Sequence, residues 1–65
     1  MKKKYNIGVR VEINKNLTVD KAGVEITSHG GAIEDAARDG SLFGIRTDNG
    51  RYFAIKGDDL TIIKN

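Results

Sequence analysis

The sequence contains no cysteine, no proline and no tryptophan, and its one histidine is His29. The lack of cysteine excludes a disulfide scaffold and an iron–sulfur centre, and a single histidine is too few for a zinc ribbon. The longest apolar runs are only a few residues, so no segment is predicted to span a membrane. We therefore expect one small domain without metal or cofactor, which buries only about 60% of the surface of its unfolded chain.

Side chains suited to catalysis are also few. His29 precedes two glycines in a predicted turn, and the acidic pairs Glu34-Asp35 and Asp58-Asp59 consist of sequence neighbours. Neighbouring residues of a strand point to opposite faces, so neither pair is expected to converge on one substrate. Because catalysis needs a nucleophile, base or metal set held in one pocket, we predict that the protein is not an enzyme.

Charge is distributed unevenly along the chain, whose eleven basic and nine acidic side chains give a net charge of +2. Residues 1–15 carry five basic and one acidic side chain, whereas residues 16–40 carry two basic and five acidic ones. We interpret residues 1–6 as a basic tail and residues 7–65 as a single folded domain. The lysines of the tail precede Asn6-Ile7-Gly8 rather than an apolar stretch, so we expect no signal peptide and a cytoplasmic location.

The clearest structural signals are a strand and a hairpin. Val9, Val11 and Ile13 alternate with charged residues, which predicts a strand buried on one face. Residues 41–47 and 51–56 flank Asp48-Asn49-Gly50, in which Asn-Gly supplies the positive φ values of a tight hairpin turn. Parity directs one face of the hairpin into the core, with Phe43, Ile45, Phe53 and Ile55. The opposite face consists of Leu42, Gly44, Arg46, Tyr52 and Ala54.

The remaining segments are less regular. Residues 17–27 mix apolar and polar side chains and are predicted to form a long loop with some extended pairing. Residues 32–38 place Ile33, Ala36 and Ala37 at helical spacing but follow two glycines, so a short helical turn and a strand both stay open. Residues 57–59 are predicted to form a tight turn, and residues 60–63 a short closing strand.

Five short strands with a long loop after the first resemble an SH3-like barrel. Residues 28–33 resemble the glycine-to-strand entry of KOW-type domains, and residues 43–60 resemble the ending that KOW, Tudor-like and small phage-borne SH3-like proteins share. A closer likeness, over residues 7–14, residues 31–33, the hairpin and Leu60, is to small SH3-like proteins of unknown function from phages and prophages of Bacillus type. The resemblance implies an all-β, five-stranded barrel filled by its own side chains, and it brings no catalytic residues.

Two surface sets are candidates for binding. The apolar set, on the outward face of the hairpin, is predicted to bind a protein partner or a second copy in a homodimer or larger ring, because its small residues would let another backbone approach. It comprises Leu42, Gly44, Tyr52 and Ala54. The basic set would contact nucleic acid or another anion, with Tyr5 and Tyr52 available for base stacking. It comprises Lys2, Lys3, Lys4, Arg10, Lys15, Arg46, Arg51 and Lys56.

From these sets we predict a non-catalytic module that acts by protein–protein interaction. The resemblance implies that it is encoded by a phage, and other phage proteins of this size include counter-defence inhibitors. One alternative is a KOW-like nucleic-acid-binding protein that uses the N-terminal cations. Another is an oligomer that holds an anionic nucleotide at a subunit interface. All three assign the function to the surface of the domain.

Overall fold

In the computed structural model, which describes residues 5–63, the chain forms five β-strands and one 3₁₀ turn. The strands are β1 Arg10–Ile13, β2 Gly30–Ala36, β3 Leu42–Thr47, β4 Tyr52–Lys56 and β5 Leu60–Ile62, and the 3₁₀ turn is Gly57–Asp59. They form one antiparallel sheet in the order β4-β3-β2-β1-β5, so β4 and β5 are its edge strands. The predicted mainly-β class is confirmed, whereas closure of the sheet into a barrel stays a prediction.

Strand β2 resolves the choice between helix and strand at residues 32–38. It pairs with β1 over residues 30–32 and with β3 from Gly31 to Ala36. Of the residues at helical spacing only Ile33 is buried, so a helix here would bury little apolar surface. Pairing with β3 instead satisfies backbone groups of this segment as far as Ala36, and the strand prevails over local helical propensity.

A β-bulge interrupts β2 between Ile33 and Asp35. The register shift leaves Glu34 as the extra residue, and its carboxylate binds Arg46. Asp35 accepts a hydrogen bond from Tyr52, which lies opposite Arg46 in the sheet. Both acids therefore reach the same face of the sheet. The expectation that these neighbours point to opposite faces is wrong, because a bulge breaks the alternation of side chains along a strand.

The core lies on one face of the sheet and is covered by the segment between β1 and β2. All four inward residues predicted for the hairpin are buried, and so are the predicted core residues of β1 and β5. Val9 is only half-buried and packs against this core, while Ile26 contributes to it from the long loop. The buried apolar residues are Val11, Ile13, Ile26, Ile33, Phe43, Ile45, Phe53, Ile55 and Leu60.

Tyr5 belongs to the folded domain and not to the basic tail. Its ring packs edge-on against Phe43, with 5.1 Å between the ring centroids. Its hydroxyl donates to the carbonyl oxygens of Gly57 and Leu60, each at 3.2 Å. The folded part of the chain therefore begins before the predicted boundary at residue 7. Because this ring is packed on the core, the expectation that it serves as an exposed stacking platform is wrong.

Replacing Phe53 with alanine tests the assignment of the core face. Phe53 is almost fully buried, and the substitution leaves a cavity that β3 and β4 cannot close without breaking their pairing. We expect the free energy of unfolding to fall by about 3–5 kcal/mol. Ile7→Ala, at an exposed position, should change it by less than about 0.5 kcal/mol. Chemical denaturation measures both values, and a loss below about 1 kcal/mol at Phe53 would contradict the assignment.

Candidate interaction surfaces

The predicted apolar set lies on the outer face of β3 and β4, but most of it is covered. Gly44 is buried and lies opposite Ala54 in the sheet. The ring of Tyr52 lies over Gly44, so a Cβ at that position would overlap the tyrosine hydroxyl. Gly44 thus accommodates the domain's own tyrosine, and the expectation that it would admit another backbone is wrong. Leu42 and Ala54 are half-buried, which leaves Tyr52 as the one exposed member of the set.

Tyr52 is itself fixed by charged neighbours. The Arg46 guanidinium carbon lies 5.3 Å from the centre of its ring, at a distance suited to a cation–π contact. The hydroxyl donates to Asp35 at 2.8 Å, and this bond raises the pKa of Tyr52. Arg46 donates twice to Glu34, at 3.0 and 3.1 Å, and lowers the pKa of that carboxyl group. The outer face is therefore occupied by a network of internal contacts.

Most of the predicted anion-binding cations that the structure describes already have carboxylate partners. Arg10 binds both oxygens of Asp48, at 2.8 and 3.0 Å, and lowers the pKa of that carboxyl group. Lys15 lies 3.9 Å from Glu12, and Arg46 is held by Glu34. Arg51 and Lys56 are exposed and make no ion pair among residues 5–63. Lys2, Lys3 and Lys4 lie outside the described residues.

Sequence reasoning missed Asp20, a buried acid that accepts three backbone hydrogen bonds. It lies in the segment between β1 and β2, residues 14–29, which we call the Asp20 loop. Its side chain is buried, with 8% exposed. One carboxylate oxygen, Oδ1, accepts hydrogen bonds from the N–H groups of Ala22 and Val24, at 2.9 and 2.8 Å. The other, Oδ2, accepts from the N–H of Ala54 in β4, at 3.0 Å.

These hydrogen bonds keep Asp20 ionised despite its burial. Burial by itself raises the pKa of this carboxyl group, but the N–H groups of Ala54, Val24 and Ala22 outweigh it and hold the pKa below its ordinary value. The turn in this arrangement, but not its bond to β4, could have been predicted from the sequence. Asp20-Lys21-Ala22-Gly23 is typical of a turn, and Gly23 has a φ of +83°. The bond to Ala54, 34 residues away, had no signal in the sequence.

Other contacts fix the remainder of the Asp20 loop. The N–H of Lys21 donates to the carbonyl of Ala54 at 2.9 Å, so both outward backbone groups of Ala54 are bonded to the loop. The N–H of Ile26 donates to Thr18 across the loop at 2.8 Å, and its side chain enters the core. His29, predicted to be a plain turn residue, is half-buried with its Nε2 2.9 Å from the Leu17 carbonyl. The loop is therefore a defined part of the fold.

The Asp20 loop carries two exposed valines on this fixed backbone. Val19 and Val24 are 48% and 50% exposed. They flank the turn, in which the Asp20 N–H donates to the Val24 carbonyl at 2.9 Å and Val19 forms a bridge with Glu25. Two apolar side chains are thus held in place while remaining largely open to solvent.

A small hollow of about 130 Å³ lies between the Asp20 loop and β4. Its apolar wall includes Val19 and Ala54, and the exposed residues Lys21 and Lys56 stand beside it. Neither lysine makes an ion pair with a residue in the range 5–63. The lining residues are Leu17, Val19, Asp20, Lys21, Ala54, Ile55, Lys56 and Asp59. We call this hollow, together with Val19 and Val24, the loop face.

Other kinds of site find no support among residues 5–63. No group of three or more histidine, cysteine, aspartate or glutamate side chains is placed to hold a metal ion there. Over the same range, no helix is long and apolar enough to cross a membrane. A second hollow, of about 410 Å³, has mostly polar lining residues, among them Glu12, Asn14 and Asp58.

No protein-family model, curated protein or solved structure matches the chain. The function therefore has to be argued from the surfaces described above.

Replacing Asp20 with asparagine tests whether this carboxylate holds the loop to the sheet. The amide has one acceptor oxygen, so its NH₂ group must face a backbone N–H that Asp20 now binds, either in the turn or at Ala54. We expect a loss of about 1.5–3 kcal/mol in the free energy of unfolding. Glu25→Gln, on the exposed side of the same loop, should cost less than about 0.5 kcal/mol. Equal effects of the two substitutions would contradict this role.

Proposed function

We propose that this chain is a small non-catalytic domain that binds another protein through its loop face. The observation that carries the proposal is the exposure of Val19 and Val24 on a loop whose backbone is fixed by the buried Asp20. Binding residues are often found on loops that a rigid scaffold positions. The loop face also has the largest exposed apolar side chains of the Asp20 loop, beside a hollow that a partner side chain could enter.

Fixing the loop in advance favours binding. A mobile loop has to be ordered when a partner docks, and each immobilised side chain costs about 0.5–1.5 kcal/mol. Here the carboxylate of Asp20 and the burial of Ile26 order the backbone during folding. Full burial of one exposed valine contributes about 1.5–3 kcal/mol. Because each of these two is already about half-buried, the pair together supplies about that amount, against about 8 kcal/mol for a micromolar affinity.

The charge beside the hollow indicates the chemistry of the partner. Lys21 and Lys56 are exposed and unpaired within residues 5–63, whereas Asp20 is fully engaged with backbone N–H groups. A partner segment with an apolar side chain flanked by carboxylates would match both the wall and the cations. Such complementarity mainly raises the association rate and should weaken with salt.

The alternatives receive less support from the described residues. Nucleic-acid or nucleotide binding would require several cations free to meet phosphates. Arg10 and Arg46 already bind carboxylates in two-bond pairs, which leaves Arg51 and Lys56 as the unpaired members of the predicted set within residues 5–63. The lysine tail remains a candidate phosphate contact outside the described residues. A phage origin and a counter-defence role stay predictions from the resemblance.

Selection from a library of random displayed peptides tests the loop face. Peptides enriched on the immobilised native domain would be synthesised and titrated against three folded proteins: native, the double variant Val19→Glu/Val24→Glu, and Ile7→Glu. Ile7 is more exposed than either valine and lies outside the loop face, so it controls for the added charge. We expect affinity to fall at least about tenfold for the double variant, a loss of about 1.4 kcal/mol in binding free energy. Affinity should be unchanged for Ile7→Glu.

The sequences of the selected peptides test the charge argument in the same experiment. Enrichment of acidic residues beside an apolar one is expected, and Lys21→Gln/Lys56→Gln should slow association at low salt. Peptides that bind the double variant as tightly as the native domain would contradict the proposed docking surface.

A further inference from the structure

The two edge strands of the sheet, β4 and β5, differ in which of their outward backbone groups have hydrogen-bond partners. At the β4 edge, both backbone groups of Ala54 that point away from β3 are bonded to Asp20 and Lys21 of the loop. At the β5 edge, none of the strands formed by residues 5–63 lies beyond Leu60–Ile62 in the sheet order. An uncovered strand edge presents donors and acceptors that can pair with another chain.

Hydrogen bonding to β1 determines which groups of β5 face outward. Ile63 donates to Arg10 at 3.0 Å, and Asn14 donates to Asp59 at 2.7 Å. Residues 59, 61 and 63 therefore direct their backbone groups toward β1, so residues 60 and 62 direct theirs away from it.

Only one of these two outward residues is left open. The N–H of Leu60 donates to Gly57, and its carbonyl accepts the Tyr5 hydroxyl. The N–H and C=O of Ile62 have no hydrogen-bond partner among residues 5–63. The β5 edge therefore presents one donor and one acceptor on the same residue.

The side chains around this open position carry no charge, and two of them are exposed isoleucines. Ile62 and Ile63 are 41% and 40% exposed, and residues 60–63 contain no charge. Edge strands usually carry a lysine, a proline or a bulge that discourages pairing, and β5 has none of these over Leu60–Ile62. An exposed isoleucine with both backbone groups open and no charge beside it indicates that β5 is suited to pairing.

We propose that two copies of this chain pair through β5, antiparallel, around a twofold axis at Ile62. In this arrangement the N–H of Ile62 donates to the carbonyl of the partner subunit's Ile62, and the reverse bond forms by symmetry. A second copy fits because its Ile62 offers an acceptor for this N–H, a donor for this C=O and an apolar side chain beside this one. No like charges come opposite each other over residues 60–63.

The side-chain geometry adds an apolar contact to the two hydrogen bonds. Ile62 lies opposite Val11, whose side chain is in the core, so Ile62 is on the core-facing side of β5. Pairing around Ile62 brings the two isoleucines together and extends the core layer from one copy to the next. Stable interfaces bury about 800 Å² on each partner, and so short an edge supplies less, so the dimer should be weak. This pairing is independent of the loop face and can fail or succeed without it.

Covalent trapping tests the pairing, because the native chain has no cysteine. Directly opposite residues that exchange both hydrogen bonds have Cα atoms about 5.5 Å apart, which suits a disulfide. Ile62→Cys should therefore crosslink to the partner's residue 62. Ile63→Cys is an almost equally exposed control, but in this register its two copies are diagonal, with Cα atoms beyond about 7 Å.

We expect Ile62→Cys to form disulfide dimers at least about tenfold faster than Ile63→Cys under the same mild oxidation, with both variants folded by amide hydrogen exchange. Equal rates would indicate random collision and would overturn the proposal, as would faster crosslinking of Ile63→Cys. The unsubstituted chain provides a second measurement. Exchange of the Ile62 amide should slow as protein concentration rises toward the millimolar range, and exchange that is independent of concentration would also overturn the proposal.

Discussion

The buried carboxylate of Asp20 joins the irregular part of this chain to its sheet. It accepts two backbone N–H groups within the turn of the loop and one from β4, so one side chain both shapes the turn and attaches it. Residues 14–29 contain no named strand, and ordering each of them costs about 1–2 kcal/mol of backbone entropy. The carboxylate and the buried Ile26 offset part of that cost. Without this attachment the loop would leave one side of the core open.

The same attachment determines where the domain can associate. By bonding to Ala54, the loop closes part of the β4 edge and holds two valines beside a hollow. The outer face of the hairpin is occupied by Tyr52 and its ion-paired neighbour Arg46, which removes it as an open apolar patch. Within residues 5–63, the loop face and the backbone groups of Ile62 at the β5 edge stay available. In this small domain, internal contacts cover much of the surface and leave few places where another molecule can bind.

Sequence patterns predicted those parts of the fold that depend on near neighbours. The hairpin followed from alternation and from Asn-Gly, and its four inward residues are buried. The bulge in β2 could not be predicted, because it depends on the register with β3, and it reversed the expected direction of an acidic pair. The contact of Tyr52 with Gly44 and the bond from Ala54 to Asp20 join residues that are distant in sequence or lie on different strands. Composition and periodicity carry no information on such pairs. The binding surface was therefore predicted on the outer face of the hairpin and not on the Asp20 loop.

The central claim is that the Asp20 carboxylate bonds to the Ala54 N–H and is thereby held ionised. Measuring the carboxyl ¹³C and backbone amide resonances across an acid titration by NMR tests it most directly. Because backbone N–H groups stabilise its charge, the pKa of Asp20 is expected to lie below the ordinary aspartate value of about 3.9. The Ala54 amide, in β4 and far from Asp20 in sequence, is expected to shift with the same midpoint. An Asp20 that titrates at or above that value, or an Ala54 amide that does not follow it, would contradict the account.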